Sequence, residues 1–202
     1  MISRILIAGL LSCACAAPAA AGTKGTERTV PVNTIVIHAI SGPSCAEGKL
    51  KFSGAPGKAE RWKRFFDNHP FLGIHYVVDR DGVALPSTPE DRVANHARNN
   101  NASTIGIELV HDGDGKEPFT QKQIAGLVAL LKSIRTRHRV PIENIKSHSE
   151  VDVRTFSCGD EVYKTKMDPG ANFPWGQVRA ALLGGPRLIA EPKRAVRPVA
   201  SR

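Results

Sequence analysis

The sequence has no hydrophobic run long enough to span a membrane, few cysteines and no internal repeat. Its N-terminal apolar run, Ile5 to Leu11, is far shorter than the roughly 20 residues that a spanning helix needs, which disfavours a retained membrane helix. The chain has 202 residues, of which 41% are hydrophobic. That is enough for one core, whereas two independent domains would each be small. We expect one domain of catalytic size.

The first 21 residues have the order of a bacterial export signal. Arg4 supplies an early cation, an apolar run follows, and small residues at 19–21 suit an ordinary signal peptidase. A second processing site competes with this one, because residues 10–13 (LLSC) resemble a lipobox in which Cys13 would be acylated. The sequence therefore predicts an exported protein. It would lie in the periplasm or at the outer membrane, with a lipid anchor if Cys13 is acylated, or otherwise be secreted.

The four cysteines divide between the signal and the folded part. Cys13 and Cys15 lie in the signal, which leaves Cys45 and Cys158 as a pair. An oxidising compartment would let this pair form a disulfide, and the long loop that it closes would contribute roughly 4 to 5 kcal/mol in the chain-entropy view. The alternative is two buried free thiols.

Basic residues outnumber acidic ones, 28 against 19, and the formal net charge is +9. Such a balance can indicate nucleic-acid binding, but the export signal argues against it and no nucleic-acid motif accompanies the charge. A basic exported protein can equally be attracted to an anionic cell wall or membrane surface. We predict no nucleic-acid partner and no protein partner.

Predicted strands and helices alternate along the chain. Runs rich in β-branched residues predict strands at 33–40, 74–79, 83–85, 103–111 and 145–148. Helical spacing of apolar residues predicts helices at 57–68, from 120 to about 138 and after Pro174. Thr120 is the predicted N-cap of the long helix, and Gln123 would complete a capping box.

The predicted fold class is α/β, a single domain with a central mixed sheet flanked by helices. The hairpin of residues 74–85 prevents a purely parallel sheet. The predicted organisation is an export signal over 1–21, a linker over 22–31, a folded domain over 32–184 and a flexible basic tail over 185–202.

Two histidines, His38 and His148, lie at the ends of predicted strands. Zinc hydrolases need ligands fixed on rigid elements plus an open position for water, and strand ends supply that rigidity. Asp168, beside a Pro-Gly turn, is the third candidate ligand. The spacing of the three matches no compact metal motif, and a single histidine is more often structural.

Six segments then occur in one order over residues 32–183: NTIVIHAI, HYVVDRDG, VANHAR, STIGIELV, IKSHSEVD and KMDPGANFPW. In that order they resemble the zinc-dependent N-acetylmuramoyl-L-alanine amidases, the family that includes phage lysozyme-type amidases and peptidoglycan recognition proteins. The resemblance implies the peptidoglycan recognition protein-like amidase fold. It also implies hydrolysis of the amide bond between N-acetylmuramic acid and L-alanine, in peptidoglycan or muropeptides, during cell-wall turnover or remodelling.

The resemblance assigns roles to individual residues. It implies that His38, His148 and Asp168 hold one zinc ion, and that Glu108 and Lys166 act beside it. A carboxylate at Glu108 would accept a proton from the attacking water and return it to the departing L-alanine nitrogen. The Lys166 ammonium would help to stabilise the developing oxyanion.

Two alternatives remain at the site. The segment between His148 and Asp168 is longer than is usual in the family, and it contains Cys158, a strong zinc ligand that rivals Asp168. The Lys-x-Asp-Pro-Gly motif favours Asp168, in which case Cys158 bonds Cys45 and holds the inserted loop near the cleft.

His96 in VANHAR is the remaining candidate, as a residue of the substrate groove. The alternative function is a peptidoglycan-binding recognition protein without catalysis. The presence of all three ligands together with Glu108 and Lys166 favours the enzyme.

Overall fold

The computed structural model describes residues 24–185. The predicted export signal over 1–21, Cys13 and all but the first residue of the predicted basic tail lie outside the described residues. Within residues 24–185, no helix combines the length and apolar character that a membrane crossing requires.

The described chain forms eleven strands and four helices. The strands are β1 (Thr26–Glu27), β2 (Thr34–Ala39), β3 (Pro43–Ala46), β4 (Lys49–Phe52), β5 (Tyr76–Val78), β6 (Ala84–Pro86), β7 (Arg92–Val93), β8 (Thr104–Leu109), β9 (Ile145–Ser147), β10 (Thr155–Cys158) and β11 (Glu161–Lys164). The helices are α1 (Ala59–Asn68), α2 (Gln121–His138), α3 (His148–Val151) and α4 (Trp175–Leu182).

The central sheet has five strands in the order β6-β5-β8-β2-β9. All neighbouring pairs are parallel except the β5–β6 hairpin, so the predicted mixed sheet is confirmed. Side chains alternate between the two faces of a strand. Ile35 and Ile37 of β2 therefore join the core beneath α2 and α4, while His38 belongs to the opposite face. Glu108 of β8 is the register partner of His38, so its side chain lies beside that of His38 on the same face of the sheet.

Helix α2 begins at the predicted cap and ends at His138, as predicted. The Thr120 hydroxyl accepts a hydrogen bond from the Gln123 backbone N–H at 3.0 Å. The predicted capping box is nevertheless wrong in its second half, because the Gln123 side chain donates to the carbonyl oxygens of Val78 and Val110 at 3.3 and 3.1 Å. Buried strand-end carbonyls need partners, and the glutamine amide satisfies two of them.

The first described residues are fastened to the domain. The Lys24 ammonium donates to the carbonyl oxygens of His69 and Leu72, at 2.8 and 2.6 Å, just beyond the end of α1. The Arg28 guanidinium donates to the carbonyl oxygens of Glu90 and Thr104, each at 3.0 Å. Residues 24–31 belong to the segment predicted as a linker from its lack of apolar periodicity. In the structure they include strand β1 and form hydrogen bonds with the domain.

Two further hairpins were absent from the sequence-based prediction. β3 pairs with β4 and β10 pairs with β11, and a disulfide between Cys45 of β3 and Cys158 of β10 joins the two hairpins, with a Cα–Cα distance of 5.4 Å. The predicted pairing is therefore present in the structure, and the alternative of two free thiols is wrong. Because its sulfur is bonded to Cys45, Cys158 is also removed as a rival zinc ligand.

We expect removal of this disulfide to destabilise the domain. Its cysteines are separated by 113 residues, and a bond that closes so long a loop restricts the unfolded chain strongly. Replacing both Cys45 and Cys158 with serine should lower the free energy of unfolding by about 2 to 5 kcal/mol, measured by urea denaturation. A reductant should destabilise the wild-type protein and leave the double variant unchanged. Equal unfolding midpoints for the oxidised and reduced wild-type protein would contradict this expectation.

Candidate active site

Three parallel strands bring the predicted site residues to one edge of the sheet. β8, β2 and β9 are neighbours, and the carboxyl ends of parallel strands meet at the same edge, where α/β proteins commonly bind ligands. His38 lies near the end of β2, Glu108 near the end of β8, and His148 directly follows β9. Asp168 comes from the loop before α4, which is tied to α3 by a bond from the Ser149 N–H to the Asp168 carbonyl.

A capping box fixes the position of His148 at the start of α3. The Ser147 hydroxyl accepts from the Glu150 N–H at 3.1 Å, and the Glu150 carboxylate accepts from the Ser147 N–H at 2.7 Å. This reciprocal pair ends β9 and begins the helix within one residue. His148 is thereby held at the sheet edge by local backbone geometry.

The three predicted ligands converge on one point. The Nδ1 atoms of His38 and His148 are 2.9 Å apart, and Asp168 Oδ2 lies 3.3 Å from the first and 3.0 Å from the second. All three residues are at most 5% exposed. In a tetrahedral zinc site with metal–ligand bonds of 2.0–2.1 Å, neighbouring ligand atoms are about 3.3–3.4 Å apart. The two nitrogens and one oxygen lie at or slightly inside this spacing, so they approximate one face of such a tetrahedron and leave a fourth position for water or substrate.

Electrostatics favour the metal-binding forms of His38 and Asp168. Burial, reinforced by the adjacent His148, lowers the pKa of His38 to about 4. Burial alone would raise the pKa of Asp168, but hydrogen bonds with His148 and His38 hold it well below its usual range. A neutral imidazole and an ionised carboxylate are the protonation states that bind a metal ion.

Glu108 is a buried carboxyl group without a full set of partners. It is 9% exposed, and its Oε2 is buried and forms no hydrogen bond with any group among residues 24–185. Burial raises its pKa well above the ordinary value, the negative charge of Asp168 raises it further, and Lys166 opposes both effects. Leaving a buried polar atom without a hydrogen-bond partner costs free energy, so such atoms are rare in native proteins. Where one occurs beside a group with a strongly shifted pKa, it indicates a functional site.

The cleft at these residues is lined by both polar and apolar side chains. Its volume is about 460 Å³, and its lining includes His38, Glu108 and Lys166. Trp62 and Phe65 of α1 also line it. The sequence predicted α1 from the helical spacing of its apolar residues and gave its aromatic residues no role in a cleft. Phe65 is 43% exposed, which shows that this face of the helix is only partly used for the core.

The structure places His96 both in the cleft and against a predicted ligand. His96 is partly exposed and lines the cleft, as expected for a groove residue. Its Nδ1 also lies 3.0 Å from the Nε2 of His38, a contact that the sequence did not indicate. Burial lowers the pKa of His96 well below its ordinary value, and the neighbouring His38 adds to that effect. Contact of His96 with substrate stays a prediction.

Comparison with known proteins begins with the sequence. The profile of the N-acetylmuramoyl-L-alanine amidase family matches residues 28–171. The 1,6-anhydro-N-acetylmuramyl-L-alanine amidase AmpD of Enterobacter cloacae is 30% identical over 132 residues, which cover 57% of this chain and 64% of that protein. The N-acetylmuramoyl-L-alanine amidase AmiD of Escherichia coli is 32% identical over 91 residues, which cover 42% of this chain and 29% of that protein. The chain thus spans less than two thirds of the length of these relatives.

Solved structures show the same fold. AmiD of Escherichia coli, in complex with anhydro-N-acetylmuramic acid-L-Ala-D-γ-Glu-L-Lys, matches with a TM-score of 0.56 and 23% identity, over 81% of this chain and 62% of that one. The amidase LysC of Clostridium intestinale matches with a TM-score of 0.54 and 22% identity, over 80% and 94%. The predicted fold class is confirmed.

Proposed function

The chain belongs to the N-acetylmuramoyl-L-alanine amidase family, and from that premise we propose that it hydrolyses the amide bond between N-acetylmuramic acid and L-alanine in peptidoglycan or muropeptides. One observation carries the proposal. The buried ligand atoms of His38, His148 and Asp168 converge within 4.8 Å of one another. They line the same cleft as Glu108, whose buried Oε2 has no hydrogen-bond partner among residues 24–185.

The cation that we propose for this site is one zinc ion held by His38, His148 and Asp168. Two imidazoles and one carboxylate are a ligand set that suits catalytic zinc, and three protein ligands leave one position open. Bound zinc supplies Lewis acidity, which polarises a carbonyl group and lowers the pKa of water to about 7. A dication would also lower the pKa of the neighbouring Glu108 and so favour the carboxylate form that can accept a proton.

In the proposed mechanism, Glu108 moves the proton. Its unpartnered Oε2 accepts a proton from the attacking water, and the same carboxyl group then delivers it to the L-alanine nitrogen as the amide bond breaks. The Lys166 ammonium, on the cleft wall, donates to the carbonyl oxygen of the scissile amide as negative charge develops there. Both residues thus stabilise charges that grow only in the transition state.

The relatives support the class of substrate. The solved AmiD complex contains a muropeptide with an anhydro-N-acetylmuramic acid residue, and the Enterobacter cloacae relative is described as an amidase of the 1,6-anhydro form. We propose a muropeptide or peptidoglycan strand as the substrate of this chain. The apolar side chains of Trp62 and Phe65 would face its sugar or peptide across the cleft.

We place the protein outside the cytoplasm, in the periplasm or at the outer membrane. The Cys45–Cys158 disulfide supports an oxidising compartment, and the substrate class lies there too. Acylation at Cys13 would add a lipid anchor and hold the protein at a membrane.

Digestion of defined muropeptides tests the proposed function. The purified protein is incubated with an anhydro-muropeptide and with a reduced disaccharide peptide, and the products are identified by mass spectrometry. We expect stem peptides beginning with L-alanine, loss of cleavage on chelation and its return when zinc is added. A protein that binds zinc and muropeptide but releases no stem peptide would instead be a non-catalytic recognition protein.

A further inference from the structure

The two ring nitrogens of His38 face different partners. Nδ1 points to His148 and Asp168, whereas Nε2 lies 3.0 Å from Nδ1 of His96. A histidine that binds a metal through one nitrogen must present a lone pair there and carry its proton on the other. The partner of Nε2 therefore decides whether His38 is ready to bind a metal ion.

The hydrogen bonds beyond His96 run in one direction. The Thr104 hydroxyl donates its single proton to the carbonyl oxygen of Asn100 at 2.8 Å, because a carbonyl can only accept. The same hydroxyl must then accept from Nε2 of His96, which lies 3.1 Å away. In the neutral ring this leaves Nδ1 of His96 as an acceptor, so the proton between the two histidines belongs to His38 Nε2.

We infer that His96 is a positioning residue that acts through His38. By accepting the Nε2 proton, it fixes the tautomer and ring orientation of His38, so that the Nδ1 lone pair faces Asp168 and His148. Thr104 and the Asn100 carbonyl group fix the direction of these hydrogen bonds. The inference rests on the zinc site of the proposed function, and it adds a role that contact with substrate would not require.

The surrounding structure is built to hold the His96 ring. A Cβ atom at Gly106 of β8 would lie 2.5 Å from His96 Nδ1 and 2.6 Å from its Cγ, closer than such atoms approach in proteins. The ring therefore occupies the space that a side chain on this strand would fill. The Asn101 side-chain oxygen accepts from the backbone N–H groups of His96 and Ala97, at 3.0 and 2.7 Å. Ring and backbone are both fixed.

A pair of substitutions at His96 separates hydrogen bonding from packing. In His96→Asn the side-chain oxygen takes the place of Nδ1 and can still accept from His38, whereas His96→Leu has similar size and no acceptor. Loss of an outer partner of a ligating histidine typically weakens metal binding 10–100-fold. We expect His96→Leu to weaken zinc binding by about that factor, and His96→Asn to retain most of the affinity.

The measurement is zinc affinity without substrate, by competition with a chromophoric chelator. The visible spectrum of the cobalt-substituted protein reports the ligand geometry independently. His138→Leu is the matched control, because His138 bonds Glu90 at 2.6 Å and is not among the residues that line the cleft. It should leave zinc affinity and the cobalt spectrum unchanged.

A second pair keeps the test valid if His96→Leu does not fold. Thr104→Val removes the acceptor for the Nε2 proton of His96 without touching His38, and Thr104→Ser retains it. We expect weaker zinc binding in the valine variant and recovery in the serine variant. Wild-type zinc affinity in folded His96→Leu or Thr104→Val would overturn the inference. Zinc binding by the wild-type protein without muropeptide cleavage would overturn the proposed function alone.

Discussion

Replacing Glu108 with glutamine is expected to lower kcat for muropeptide cleavage by about 10³-fold, because general acid–base catalysis by a positioned side chain typically contributes 10²–10⁴-fold. Glutamine keeps the size of the side chain but can neither accept nor return a proton. Since Glu108 belongs to β8 and is not one of the three converging ligands, zinc binding should persist.

The measurement is kcat and KM on a defined muropeptide, with zinc content determined on the same sample. Glu60→Gln, in the exposed first turn of α1, is the matched control and should retain wild-type kcat. A folded, zinc-loaded Glu108→Gln protein with kcat within tenfold of the wild type would remove Glu108 from the proposed mechanism. Loss of zinc in that variant would instead give Glu108 a role at the metal.

Replacing Lys166 with methionine is expected to lower kcat by about 10²–10³-fold, the usual loss when one donor to a developing oxyanion is removed. Methionine keeps much of the length and apolar character of the lysine stem but has no ammonium group. Because the ammonium acts on charge that develops during the reaction, KM should change far less than kcat.

Lys164→Met is the control for this substitution. Lys164 lies two residues earlier at the end of β11, is exposed and donates to the Ser149 carbonyl oxygen at 2.9 Å. It should leave kcat unchanged. If Lys166→Met raised KM with little change in kcat, Lys166 would bind substrate in the ground state and would not stabilise the transition state.

Much of the fold could be predicted because its signals are local. The β-branched runs around His38 and Glu108 give buried parallel strands, and apolar spacing gives α1 and α2. The hairpins β3–β4 and β10–β11 were missed for a physical reason. Each of their strands has four residues, most of them exposed, so even the alternation in KLKF and TFSC is too short to stand out. The disulfide that joins the two hairpins is a long-range contact that no local pattern reports.

The site was predictable in its members but not in its internal contacts. His38, His148 and Asp168 belong to recognisable segments, and the structure brings all three together. The link between His38 and His96 depends on a glycine in β8 that leaves space for a ring, and no local pattern reports such a space. That Glu108 Oε2 is buried without a hydrogen-bond partner in the described part of the chain is likewise a property of the packed structure.

The disulfide also determines what a protease can do to this chain. Cys45 and Cys158 close a covalent ring that contains most of the domain, including α1, β8 and α2. A single cut anywhere between these cysteines produces two fragments that remain one molecule. His38 would be on the first fragment and Asp168 on the second, and the bond would keep both halves of the proposed metal site together. If the protein is exported as proposed, one protease cut within this ring would leave the three proposed metal ligands on a single covalently linked molecule.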